Sequence, residues 1–286
     1  MSPHLDALLA GPIGSSLQAR ATSGELELPV LPTSASQVLA LCNGDSCDAR
    51  ELASKIESDQ SLTGHVLRVS NSAVYAPNEP IISLSQAVAR LGFSSLCEIT
   101  LAVAVRGKVF NVPGFQPTLE RLWKHSAVSG AFSKEIARTL RKNVEGAFLC
   151  GLLHDIGKPV VLQLLIDVWK EAGVSEPLEI DLAEEVMDHF NGVIGGALLQ
   201  SWNFAPWMQA AVEFAHNPNA AGEFLHQAQM THLANELANW ALEIGDATEE
   251  SLASLPVVAE LEIYEDDFDQ LLARKDSIVL FAESLS

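Results

Sequence analysis

The ten residues Leu149 to Lys158, reading LCGLLHDIGK, set the hardest condition on how this chain can fold. They put an imidazole and a carboxylate, His154 and Asp155, side by side in an apolar run formed by Leu149, Leu152, Leu153 and Ile156. Burying a charged carboxylate costs several kcal/mol unless it is paired or bound to a cation. Any fold that buries this run must therefore bring the carboxylate a partner, and a divalent metal is one natural candidate. A His-Asp pair by itself carries little weight, because most such histidines are solvated or hydrogen-bonded within a core. The rest of the chain has to make the case.

The balance of charge narrows the field of partners. Lys and Arg number 17 against 37 Asp and Glu, a net charge of −20. A nucleic-acid surface needs clustered cations to displace phosphate counterions, so this balance argues against one, and against an anionic membrane surface. The four cysteines, Cys42, Cys47, Cys97 and Cys150, form no CxxC pair, which fits neither a disulfide framework nor zinc-finger spacing. Cys97 and Cys150 lie in apolar runs and read as small core residues. The N-terminal stretch lacks a basic, apolar leader pattern, and Pro159 to Trp169 is too short and too interrupted to span a bilayer. The expected location is cytoplasmic.

Apolar residues recur at helical spacing and never alternate as in strands, which predicts an all-α fold. A weakly amphipathic extension, residues 1–27, precedes Leu28-Pro29-Val30-Leu31-Pro32, whose prolines impose extended backbone. Ser34 is expected to cap a helix that ends near Asn43-Gly44, and Asp48 another whose apolar pattern runs on to Ser70. Ser83 to Leu91 reads as a helix stopped by Gly92, and Ser94 or Ser95 as the cap of a long apolar one. Asn111 to Pro117 (NVPGFQP) is the clearest linker and separates residues 28–117 from 118–245. In the second part helices are expected over Thr118 to Arg141 and Val144 to Leu165, the latter kinked or ended by Gly157 and Pro159. Asp181 is a candidate cap for the helix bearing His189. Further helices are expected over Asn191 to Trp202, Pro206 to His216 and Glu223 to Ile244. Residues 246–286 form an acidic tail with a final helix.

A metal beside His154 and Asp155 needs more nitrogen or oxygen ligands. Two antiparallel helices turning near Asn143 bring His125 roughly level with the dyad. Downstream, His189, His216, His226 and His232 offer imidazoles and Asp188 a carboxylate. For His226 and His232 an exposed or internally satisfied side chain is the default. Mixed His/Asp ligation with open positions suits Fe, Mn or Mg more than structural zinc. Such an ion would polarise a phosphoryl oxygen and acidify a bound water, and Lys158 could reach a phosphate.

Three blocks of the chain resemble the HDOD family of bacterial signalling domains, degenerate relatives of the HD phosphohydrolases and HD-GYP phosphodiesterases. The first joins LPVLPTSASQVLALC to Glu51–Tyr75 and Ile82–Val105, with its NSA segment (Asn71 to Ala73) and ARLG segment (Ala89 to Gly92). The second is LWKHSAVSGAFSKEIAR with FLCGLLHDIGK, and the third runs from Ile194 to Pro218 and on to THLANELAN. The resemblance implies an HD-like bundle of helices with an N-terminal helical subdomain, and a role in signal transduction. Carried over position by position, His125, His154 and Asp155 match metal ligands and Lys158 the HD-GYP lysine. Three other ligand positions hold Asn191, Ala215 and Asn235, with His189 two residues early and His216 the one left of a histidine pair.

The reading that follows is a regulatory protein acting through contacts with other signalling proteins, without robust catalysis. One divalent metal could remain on His125, His154 and Asp155, with Asn235 or His216 adding to it. Two alternatives stay open. One is a metal-dependent phosphohydrolase for a nucleotide or cyclic dinucleotide, in which Asp155 and the metal activate water while Lys158 or Arg121 steadies the phosphate. The other is a sensor that binds a nucleotide or metal without cleaving it.

Overall fold

A computed structural model describes residues 2–22, 28–31, 33–42, 48–72, 74–75 and 79–285. Among them every regular element is helical, as the missing strand alternation predicts. In the N-terminal part these are α1 (Pro3–Leu9), α2 (Pro12–Thr22), α3 (Thr33–Cys42), α4 (Ala49–Glu57), α5 (Gln60–Ser70), α6 (Leu84–Leu91) and α7 (Phe93–Val109). Then come α8 (Gln116–Thr139), α9 (Val144–Leu153), α10 (Gly157–Glu171), α11 (Ile180–Ser201), α12 (Pro206–Glu213) and α13 (Leu225–Ala241). Two 3-10 turns, Pro218–Ala220 and Gly222–Phe224, lead into α13. The tail holds α14 (Glu249–Ala253), α15 (Pro256–Glu260), α16 (Glu265–Leu272) and α17 (Lys275–Ser284).

Helix α7 is apolar nearly all round, so it can be stable only when wrapped, and it is buried from Leu96 to Val105. Helices α3 to α6 pack around it. In the second half α8 is the central rod, flanked by α9, α13 and α17, while α10 pairs with α11 and α11 with α12. Helices α8 and α9 meet through small residues. A Cβ on Gly151 would lie 2.5 Å from Ser133 Oγ and 2.6 Å from the Ser129 carbonyl oxygen. The two halves share one apolar core, and a part-buried Glu98–Lys134 ion pair of 2.5 Å joins α7 to α8. The terminal segments dock on this body. Leu17 of α2 is fully buried and Arg20 pairs with Glu171 of α10, while Lys124 of α8 pairs with Glu283 of α17.

Several local expectations shift for identifiable reasons. The chain from Asp48 to Ser70 is two helices, because the Asp59 carboxylate accepts from Leu62 N and starts a new one. Ser34 lies inside α3 and donates to Asp59 instead of capping. Gly92, at a φ of 86° that suits glycine, precedes α7 in place of a serine cap. Glu179, not Asp181, stands at the start of α11, which runs unbroken through His189 to Ser201. The apolar run from Val144 breaks at residues 154–156, three residues before the expected kink, and Pro159 sits within the first turn of α10. By length and composition the stretch Val144–Glu171 could cross a membrane. It is folded around that break and lies mostly buried inside the bundle. Cys97 is not a free core thiol: it forms a disulfide with Cys42, joining α7 to the end of α3. Cys150 is free and buried, as expected. Pro32, Asn43-Gly44, Cys47 and Ala73 lie outside the described residues.

Candidate metal centre

The break between α9 and α10 is what presents the dyad. Leu153 ends α9, His154 caps it, and residues 154–156 form a turn before Gly157 starts α10. Gly157 has to be glycine, since a Cβ there would stand 2.2 Å from the Asn191 carbonyl oxygen of α11. The turn therefore presses against α11, and the His154 and Asp155 side chains face the space between α8 and α13. Asn143 sets the register of α9 by accepting from Gly146 N. The antiparallel meeting expected from sequence is present, with the His125 and His154 rings 5.2 Å apart.

Each imidazole is fixed as a tautomer by a hydrogen bond on its far side. His154 Nδ1 lies 2.7 Å from the Gly151 carbonyl oxygen, so Nδ1 carries the proton and Nε2 presents a lone pair. His125 Nε2 donates to Asn239 Oδ1 at 3.0 Å, which leaves Nδ1 bare. Burial pushes the His154 imidazole down to about 4 and lowers His125 too, although Asp155 opposes both shifts. Both rings are neutral at pH 7.

The lone pairs then converge. His154 Nε2 is 3.2 Å from Asn235 Oδ1 and 3.4 Å from Asp155 Oδ2. His125 Nδ1, 3.6 Å from Asp155 Oδ2, is buried without any hydrogen-bond partner. With both rings neutral, no proton separates these acceptors. Facing acceptors repel unless a cation lies among them. The ligand atoms of His125, His154 and Asp155 all fall within 4.8 Å of one another. A set of two imidazoles, one carboxylate and one amide oxygen fits a single divalent cation.

The two oxygens of Asp155 are used differently. Oδ1 accepts from Asn191 Nδ2 at 3.0 Å and from His216 Nε2 at 3.2 Å, which occupies that edge. Oδ2 faces the bare imidazole nitrogens and accepts from Lys158 Nζ at 3.0 Å. Lys158 also reaches Asp188 Oδ1 at 2.8 Å. Burial alone would raise the Asp155 carboxyl, yet the surrounding His154, Lys158, His216 and His125 hold it well below its usual range. Since the buried rings are neutral at pH 7, Lys158 is the full positive charge there. Burial would lower the Lys158 ammonium, but Asp155 and Asp188 raise it.

Above the dyad opens a cleft of about 640 Å³, lined by Arg121, Glu184, Asp188, His216 and Glu236 among others. Its cations are already matched, Lys158 as above and Arg121 by Glu184 at 2.9 Å. Of the residues singled out from sequence, His125, His154, Asp155, Lys158, His216, Asn191 and Asn235 come together here. Ala215 is buried and contributes only its carbonyl oxygen, which accepts from His232 Nδ1 at 3.0 Å. His189 stacks edge-on against Phe190, and His226 lies near another cavity. Asp188 serves Lys158 instead of a metal. Asn239, which orients His125, is not among the residues that the sequence singles out. Its signal is the spacing in LANELAN, which puts Asn235 and Asn239 on one face of a helix.

A family model of the HDOD domain matches residues 28–218. An uncharacterized protein of Treponema pallidum is 24% identical over 208 residues, covering 69% of this chain and 39% of that one. The chain thus spans about two fifths of that relative's length. The crystal structure of a "Putative phosphohydrolase" from Shewanella amazonensis superposes at a TM-score of 0.73 with 27% identity, over 95% of this chain and 98% of that one. A "Putative signal transduction protein" of Marinobacter aquaeolei superposes at 0.68 with 24% identity, over 99% of this chain and 66% of that one.

Proposed function

The chain belongs to the HDOD family, and from that premise we propose a regulatory protein of signal transduction. It acts through contacts with other proteins and holds one divalent cation as part of its structure. The residues that would hold the cation are His125, His154 and Asp155, through His125 Nδ1, His154 Nε2 and Asp155 Oδ2, with the Asn235 amide oxygen beside them. The imidazole nitrogens favour Mn or Fe over Mg, which prefers an all-oxygen shell.

One observation carries the regulatory half of this reading. The edge of Asp155 that would bridge to a second ion is taken by hydrogen bonds from Asn191 and His216. With Asn191 and His216 donating to it, that edge of Asp155 has no lone pair turned toward a second ion. A bound ion would lend charge and could polarise a ligand oxygen. The residues of the chain would hold it, and Lys158, tied to Asp155 and Asp188, would neutralise the carboxylate.

The alternative of a phosphohydrolase rests on Arg121 and Lys158 lining the cleft and on the likeness to the Shewanella protein described as a "Putative phosphohydrolase". Hydrolysis assays with bis-p-nitrophenyl phosphate and cyclic dinucleotides in excess Mn decide between them. The regulatory reading expects no turnover above that of Asp155→Ala. Turnover that Asp155→Ala abolishes while its circular dichroism stays native would establish the hydrolase.

A further inference from the structure

Helix α5 packs against α7, and along their junction runs a furrow of two hollows of about 240 and 260 Å³. The hollows join, because His65, Val103 and Gly107 line both. Each helix turns one stripe of residues toward it at helical spacing. On α5 the stripe is Ser61, Gly64, His65 and Arg68, all exposed. On α7 it is Val103, Arg106, Gly107 and Phe110, with Gly107 open and Arg106 and Phe110 half-buried.

Two features of this furrow are not accounted for by the packing of the fold. The first is its charge. Arg68 and Arg106 line the same hollow; burial and the nearby Arg68 push the Arg106 guanidinium down, and Glu120 opposes them. Lys108 stands at the other hollow. Among the described residues none of these three cations has a carboxylate at ion-pair distance, in a chain with 37 acidic residues against 17 basic. The one carboxylate lining the furrow, Asp59, is taken by Leu62 N and the Ser34 hydroxyl. Neighbouring like charges without a counter-ion work against the fold. The second feature is its open face. Gly64 and Gly107 stand inside helices, where glycine is weaker than alanine. A Cβ at either would meet no atom within 4 Å, so internal packing does not require glycine. A glycine on an open helix face lets another backbone come close.

We propose that this furrow docks a short, extended, acidic segment of a partner protein. Carboxylates of the segment meet the Arg68 and Arg106 guanidinium forks, which suit bidentate pairing, and Lys108 takes a further one. The segment's backbone passes over Gly107, and an apolar side chain rests on Val103 and Phe110. A nucleic acid is disfavoured, because it sets one phosphate charge per nucleotide against a body of net charge −20. The proposal rests on the reading of this chain as one that acts through protein contacts, and it adds the chemistry of the partner.

The test is fluorescence anisotropy of a labelled hexapeptide alternating glutamate and leucine, titrated with the full chain in about 0.1 M salt. Saturable binding is expected, weakened about tenfold when Arg68→Gln and Arg106→Gln are combined, and unchanged by Lys170→Gln outside the furrow. Gly107→Leu, which keeps the helix and fills the open face, is expected to weaken binding as much, with native circular dichroism. If the double variant does not fold, Gly107→Leu decides alone. Absence of saturable binding at millimolar concentration overturns the proposal. So does an affinity that the double variant leaves unchanged, that Lys170→Gln lowers equally, or that single-stranded DNA of equal charge matches. The phosphodiester assay keeps the two readings apart. Turnover abolished by Asp155→Ala, beside intact peptide binding, overturns the regulatory reading and not the furrow, whereas no turnover and no peptide binding overturns the furrow alone.

Discussion

At the scale of single residues, the centre is decided by which nitrogen carries a proton. Gly151 and Asn239 take the protons of His154 and His125 away from Asp155, so the bare nitrogens point inward. This has a consequence for acid stability. His154 titrates at about 4 in the fold against an ordinary 6.5, so the unfolded chain binds more protons between those values. Stability of the metal-free protein is therefore full above pH 6.5 and lost as pH falls toward 4, by on the order of 3 kcal/mol from this group. Asp155, depressed below its ordinary value, adds a further loss at still lower pH. Urea unfolding at pH 7 and pH 4.5 checks this; an equal midpoint at both would contradict it. Lys158 supplies the second prediction. Its ammonium stands on Asp155 Oδ2, the oxygen a cation would use, so Lys158→Met should raise Mn affinity severalfold in equilibrium dialysis. Unchanged or weaker affinity would show that Lys158 does not compete.

At the scale of elements, the centre depends on how closely α8 and α9 approach and on where the apolar run breaks. Gly151→Val would force branched carbons into Ser133 and the Ser129 carbonyl. A loss of about 2–4 kcal/mol is expected from thermal or urea unfolding, together with loss of metal binding as His154 moves off His125. A variant as stable as the parent would mean the helices can part without cost. The same elements show what the sequence makes legible. His125 and His154 can be matched because one short turn at Asn143 joins their helices, and local pattern fixes such neighbours. The break at residues 154–156 comes three residues before the one that local pattern predicts. Gly157 and Pro159 look like helix breakers, yet both fit the first turn of a helix, where few amide donors are required. The partnerships of Lys158 with Asp188 and of Cys42 with Cys97 join residues far apart in sequence. Only packing of α10 on α11 and of α3 on α7 creates them, so no local pattern could announce them.

At the scale of the whole molecule, a single apolar core runs from Leu5 of the first helix to Leu285 after the last. A net charge of −20 is spread over its surface. Repulsion among like charges opposes compaction and is screened within about 10 Å at 0.1 M salt. The melting temperature should therefore rise when sodium chloride goes from about 0.01 to 0.1 M, and a fall would mean that attractive surface pairs dominate. The proposed role requires that this body hold one cation. The measurement that reaches it most directly is elemental analysis of the purified protein after incubation with Mn and removal of excess, beside His154→Ala and Asp155→Ala. About one equivalent of metal is expected, lost in both folded variants. No metal in the parent, or two equivalents, would contradict it.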